Sequence, residues 1–114
     1  MIAVIFEVIP KSGRKDDYFG HAARLKTTLE TMDGFISVER FESVTQPGKF
    51  LSLSFWRDDE AVKGWRNQMH HRVTQHAGRE RIFSDYRLRV ASVIRDYGMF
   101  ERDQAPDDSH AHHK

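Results

Sequence analysis

The run IAVIFEVI, residues 2–9, constrains the fold more than any other stretch because it is apolar on both parities. In an extended strand successive side chains point to opposite faces. Ile2, Val4, Phe6 and Val8 therefore share one face and Ala3, Ile5 and Ile9 the other, with Glu7 the one intrusion. The β-branched residues favour extended backbone, and Pro10, which has no amide hydrogen for a ladder, closes the run. A strand with one face in water alternates apolar with polar. This one does not, so it belongs at the centre of a sheet, with apolar cover on both sides.

After the turn KSG, residues 14–32 carry Tyr18, Ala22, Leu25 and Leu29 at helical spacing, and Gly34 is a candidate C-terminal cap. FISVERFESV alternates and predicts a second strand; TQPG makes a turn and KFLSLSFW a third strand, forming a hairpin. Asp58 or Asp59 can cap the next helix, because a carboxylate accepts from the unpaired first-turn amides. That helix runs from about Asp59 toward Ala77. Gly78 interrupts it, and GRERIFSD leaves room for a further helical turn. YRLRVASVIRDYG predicts the last strand, with Arg87, Arg89 and Arg95 on one parity and Tyr86, Leu88, Val90 and Ile94 on the other.

The order β-α-β-β-α-β is that of the ferredoxin-like split unit, an α+β fold with an antiparallel sheet. In it strands 1 and 3 are central, and strand 2, with Glu39, Arg40 and Glu42, suits an edge. Helices cover only one face of such a sheet, and the chain has no further helices for the other. The two-sided first strand thus predicts a second copy, sheet against sheet about a two-fold axis, in a dimeric α+β barrel. The alternative is local cover by long side chains.

The 114 residues suffice for one core, and a hydrophobic fraction of 39% with 11% aromatics predicts a folded domain rather than disorder. That domain spans residues 1–100. Residues 101–114, ERDQAPDDSHAHHK, lack apolar periodicity and read as a flexible tail whose histidines stay outside the functional argument. Eighteen Lys and Arg against 17 Asp and Glu give a net charge of +1, which points away from nucleic acid. With no cysteine, disulfides, thiolate zinc sites, iron–sulfur clusters and a Cys nucleophile are excluded, and a cytoplasmic location fits. The N-terminal apolar run is too short for a membrane span and lacks the leader and cleavage site of a signal peptide.

The chain has no G-x-G-x-x-G, phosphate loop, G-x-S-x-G or H-E-x-x-H. Residues 56–76, WRDDEAVKGWRNQMHHRVTQH, hold both tryptophans and three of the seven histidines. Metal ligands on one helix need spacings of three or four. His70 and His71 are adjacent, and His71 and His76 are five apart, so no metal site is expected. On an unbroken helix Ala61, Trp65, Met69, Val73 and His76 form one stripe, with Arg72 near it. Such a stripe can simply plug a core. Its mixture of Trp, Arg and His suits the border of a cavity better, since a buried indole N–H or imidazole without a partner is costly. A helix break near Gln68 would turn His71 inward instead.

The run FLSLSFWRDDEAVKGW resembles the antibiotic biosynthesis monooxygenase domain, whose third strand ends in Trp before an acidic helix start. PKSGRKDDY and MDGFISVERF are similar to that family's first helix start and its entry to the second strand, so the resemblance spans residues 2–97. It implies a homodimer joined through the sheet face and cofactor-free oxidation of a small aromatic or quinol-like substrate, in a pocket between sheet and helices. A deprotonated phenol or anthrone there reduces O₂ directly. On this reading Trp65 walls the pocket, His71 or His76 is the base, Arg72 stabilises the enolate, and Phe6, Phe41, Met69 and Phe83 line the apolar part.

A haem-degrading branch of the same superfamily is a second expectation. It uses an Asn on strand 1, a Trp on helix 2 and an axial His about ten residues later. Here Trp65 follows Trp56 at that branch's interval, but strand 1 offers Phe6 or Glu7, and His76 comes one residue after the expected position, which Gln75 holds. A third expectation is a non-catalytic small-molecule-binding or scaffold dimer, its pocket packed shut by Phe6, Phe41, Phe83 and Trp65.

Overall fold

The computed structural model describes the backbone of residues 1–76 and 82–111, and the side chains of residues 1–68 and 82–109. The elements are β1 (Ile2–Pro10), α1 (Lys15–Leu29), β2 (Phe35–Glu42), β3 (Phe50–Trp56), α2 (Asp59–His76), β4 (Phe83–Ser92) and α3 (Asp107–Ala111). The strands form one antiparallel sheet in the order β2-β3-β1-β4. The two-sided apolar strand is central, as its pattern required, and the charged second strand is an edge.

Register sorts the side chains into two faces. Val4 lies beside Ser54 and Val90, Phe6 beside Ser52 and Leu88, and Val8 beside Phe50 and Tyr86. Both long helices pack on this face, in two clusters. One joins Val4, Trp56 and Leu29 to Ala61 and Val62 of α2, with Trp65, Met32 and Phe35 against them. The other joins Val8 and Phe50 to Tyr18 and Ala22 of α1, with Phe6 and Phe83 against them. Trp56 is fully buried, and its indole N–H donates to Ser54 Oγ at 2.9 Å, which removes the cost of burying that donor.

The opposite face carries Ala3 and Ile5 of β1, Leu51, Leu53 and Phe55 of β3 and Ala91 of β4. Glu7 crosses it, accepting from Arg89 Nη1 at 3.1 Å and lying 3.9 Å from Lys49 Nζ.

Two corners fix how closely the layers approach. Asp58, rather than Asp59, caps α2: its Oδ1 accepts the Ala61 N–H at 2.9 Å. Gly34 adopts φ +82°, and a Cβ there would stand 2.5 Å from the Ala61 Cβ. Only glycine satisfies both the left-handed backbone and that approach.

Several boundaries differ from the sequence reading. Phe83, Ser84 and Asp85 belong to β4 and not to a helical turn, because Pro10 and Ile9 are there to pair with them. Residues 78–81 of that expected turn lie outside the described residues. β4 stops at Ser92 rather than near Gly98, since Ser92 pairs with Ile2 and β1 has no further residue to offer. For the same reason β2 ends at Glu42, opposite the first residue of β3. Past Ser92 the chain leaves the sheet as an arm that ends in α3. The molecule measures 56 × 34 × 20 Å as a result.

Candidate functional site

The helical face is not covered evenly. On β2 the residues facing the helices, Val38 and Arg40, are half-buried, and Arg40 Nη2 donates to the Ala22 carbonyl of α1 at 2.8 Å. On β4 the same face presents Tyr86, Leu88 and Val90, which are 61%, 43% and 47% exposed. Among the described residues α2 packs mainly over β3, and this row of β4 stays exposed. What remains is an apolar trough along β4, backed by Phe6 and Val4 of β1.

Two aromatic groups lie on this face. At one end Phe6 meets Phe83 edge-on at 5.9 Å and Tyr86 at 5.6 Å, and Tyr18 backs Phe83 at 5.9 Å. Burial pushes the Tyr18 phenol up, opposed by the charge of nearby Arg40. Over β3 Trp65 stacks at a tilt on Trp56, 5.7 Å between centroids, and packs on the cluster that holds Val4. Val4 of that cluster is the neighbour of Val90 on β4. An exposed floor of Tyr86, Leu88 and Val90 with the Phe6 and Phe83 rings beside it suits a flat, mostly apolar ligand through stacking and edge contacts.

Of the residues singled out in the sequence, Phe6, Phe83 and Trp65 fall on this face. Phe41 does not. It pairs with Leu51, on the face opposite Phe6, because β2 carries a register shift between Phe35 and Ser37. One extra residue reverses every later side chain, so Phe35 faces the helices while Phe41 faces away. Met69, Arg72, His71 and His76 lie on α2, with side chains outside the described ones. The helix backbone runs unbroken to His76, with no break near Gln68. At about 100° per residue, positions 69, 72 and 76 fall within about 40° of position 65, and position 71 about 120° away.

The sequence reading missed Tyr86, Leu88 and Val90 as the floor, although it placed them on one parity. The missing step was to carry that parity across the β1–β4 ladder to Phe6. It also omitted Val62, which is 1% exposed against the sheet.

Haem fits the described side chains only in part. The trough is apolar and bounded by aromatic rings. The β1 residue that faces it is Phe6, however, and Glu7 lies on the opposite face with Arg89, so β1 offers no polar group to a ligand. Among the described residues no group of three His, Cys, Asp or Glu could hold a metal. A separate open groove of about 370 Å³ between Asp33, Arg57, Glu60, Gly64 and Gln68 contains none of the predicted site residues. Arg57 bridges Asp33 and Asp58 there, at 2.9 Å to each, and holds both carboxyls below the usual carboxylate range.

The jasmonate monooxygenase ABM of Pyricularia oryzae is 43% identical over 93 residues, 82% of this chain and 43% of that protein. The chain thus spans less than half the length of that relative. The uncharacterized protein YqjZ of Bacillus subtilis is 30% identical over 93 residues, 82% of this chain and 79% of that one. Among solved structures, the haem degrader MhuD of Mycobacterium tuberculosis, with two haems in its active site, matches with a TM-score of 0.66. The identity is 20%, over 86% of this chain and 100% of that one, a likeness of fold. The sequence profile of the antibiotic biosynthesis monooxygenases matches residues 1–77. With that match covering most of its length, and with the ferredoxin-like sheet in place, the chain belongs to the antibiotic biosynthesis monooxygenase family.

Proposed function

We propose that the chain oxidises a small aromatic or quinol-like molecule in the trough over β4, without a bound cofactor. The observation that carries this reading is the exposed row Tyr86, Leu88 and Val90 on the face that the helices otherwise bury. Folding alone favours covering such a row, so its exposure suits a binding surface. Family membership supports the reaction class, as does a 43% identical relative named as a monooxygenase.

In this reaction a phenol or anthrone loses a proton to a base, and the carbanion reduces O₂. One oxygen atom becomes the product carbonyl, and the other leaves as water, with both methylene hydrogens of an anthrone or with the ring C–H and O–H hydrogens of a phenol. The candidate base is His76 or His71; on an unbroken helix position 76 shares the stripe of Trp65, which supports His76. Arg72 shares that stripe and could offset the enolate charge. Apolar walls keep water from competing with the protein for that charge.

We also propose a homodimer that joins through the opposite sheet face, where Ala3, Ile5, Leu51, Leu53 and Phe55 form an apolar surface. Light scattering at micromolar concentration tests it; a mass near 13.4 kDa rejects the dimer. No described helix is long and apolar enough to cross a membrane. The absence of cysteine supports a reducing, cytoplasmic setting.

The activity is tested by oxygen uptake with an anthrone, a dihydroquinone and jasmonate. The expected result is uptake above buffer that falls in Trp65→Phe and His76→Ala and persists in His71→Ala. Uptake no faster than buffer with all three substrates rejects the reaction. A hemin-dependent Soret shift that is lost in His76→Ala would favour haem binding in its place.

A further inference from the structure

The middle of the helical face is less filled than its flanks. Register sets the residues of this face in rows that cross the sheet from β2 to β4. One row is Val38, Ser54, Val4 and Val90, and another is Glu42, Phe50, Val8 and Tyr86. In both rows the members on β3 and β1 are buried. Val4 belongs to the α2 cluster, and Phe50 and Val8 to the α1 cluster. Between these rows run Arg40, Ser52, Phe6 and Leu88, and here Ser52 and Phe6 are only half-buried. Among the described residues the two helical clusters thus leave a furrow between them. It crosses three strand spacings, about 14 Å, and at Leu88 it opens into the trough.

The furrow changes character along its length. At the β4 end Leu88 stands exposed beside Phe6. At the β2 end Arg40 leans inward, and its Nη2 donates to the Ala22 carbonyl at 2.8 Å. That bond uses one of the five N–H donors of a guanidinium. Among the described residues no carboxylate pairs with Arg40. Glu42, the acid beside it on this face, instead accepts the Gly48 N–H at 3.1 Å. A guanidinium drawn partly under a helix loses water, and an acid partner is the usual compensation. A second polar group there also lacks a partner. Tyr18 is 3% exposed, and its oxygen is buried with no hydrogen-bond partner among the described residues, although Arg40 is near enough for its charge to act on the phenol.

We infer that the furrow binds an apolar molecule that ends in a carboxylate, with the acid group at Arg40 and the body over Phe6 and Leu88. The planar fork of an arginine meets both oxygens of a carboxylate, which fixes the orientation of the ligand as well as its charge. A mostly apolar site with one polar end is the common form of a small-molecule pocket. The inference rests on the trough reading and narrows it: the substrate is an organic acid, long enough to reach from Arg40 to the β4 floor.

Calorimetric titration with naphthylacetate and naphthylacetamide tests it, because the two share a flat apolar body and differ in charge. At neutral pH the acetate is expected to bind about tenfold or more tighter. In Arg40→Gln that preference should fall to about twofold or less, while Leu88→Gln weakens both probes alike. Glutamine keeps an N–H for the Ala22 carbonyl, and circular dichroism checks the fold of each variant. A second measurement uses the wild-type chain. The side-chain Nε–H signal that disappears in Arg40→Lys is expected to shift with naphthylacetate and to stay in place with naphthylacetamide. Equal affinity for the two probes in wild type overturns the acid site and leaves the apolar trough standing. So does a preference that survives Arg40→Gln but is lost in Arg72→Gln. Binding of neither probe overturns the trough along with it, and oxygen uptake decides the reaction separately.

Discussion

The strands β2 and β4 hold equivalent places at the two edges of one sheet, and they are finished in opposite ways. The β2 row that faces the helices contains Arg40 and Glu42, yet α1 covers part of it and takes a hydrogen bond from Arg40. The β4 row is Tyr86, Leu88 and Val90, and it stands open. If stability alone had placed the helices, the apolar row would be the covered one. The difference teaches that cover and hydrophobicity are separate signals here, and that the place where they disagree is the place to look for a ligand.

The largest expected effect tests the wall between the edges. Trp56→Ala empties the fully buried centre of the α2 cluster and should cost about 3–5 kcal/mol in urea unfolding. Next comes the direct contrast. Arg40→Ala removes a charged donor that pins α1 to β2, at a cost of about 1–3 kcal/mol. Leu88→Gln on β4 should change stability by no more than about 0.5 kcal/mol while abolishing substrate-dependent oxygen uptake. Equal destabilisation by these two substitutions would break the comparison and make the β4 row ordinary core.

A smaller effect distinguishes the edges by pH. Burial holds the Tyr18 phenol above its ordinary value of 10.0. In the fold it keeps its proton at a pH where the unfolded chain has lost it, so stability should decline as pH rises above about 10. Melting temperatures of wild type and Tyr18→Phe across pH 9–11 would show a shallower decline in the variant. The smallest effect belongs to Asp33 and Asp58, which Arg57 holds below the carboxylate range by hydrogen bonds. Their contribution is complete above the ordinary carboxylate value and is lost as pH falls through the lower folded value. Both are solvent-exposed, so the loss is slight. Asp58→Asn keeps a capping oxygen for the Ala61 N–H and should flatten part of that acid dependence in a thermal melt.

Much of the architecture was legible because it depends on period and composition. The two-sided β1, the alternating β2 and the spacing of Tyr18, Ala22 and Leu29 each name an element without reference to the rest of the chain. Strand ends were less legible, since the extent of β4 is set by where β1 starts. Phe41 shows the limit clearly. Its parity with Phe35 is correct along the strand, but the register shift after Phe35 reverses it, and nothing in FISVERFE announces that shift. In the candidate site, Trp65, Phe6 and Phe83 could be found from single segments. The floor required knowing which β4 residues lie beside Phe6, a fact of pairing rather than of sequence.

Gly34 bears on the site from a distance. Its missing side chain lets Ala61 seat against the start of β2, and Ala61 sits one helical turn before Trp65. Position 34 therefore works as a depth stop: it sets how low the tryptophan wall hangs over the sheet. The height of that wall is set outside it, by the absence of one methyl group at position 34. Redesign toward thicker or thinner ligands would begin there, with residues 34 and 61 changed as a pair.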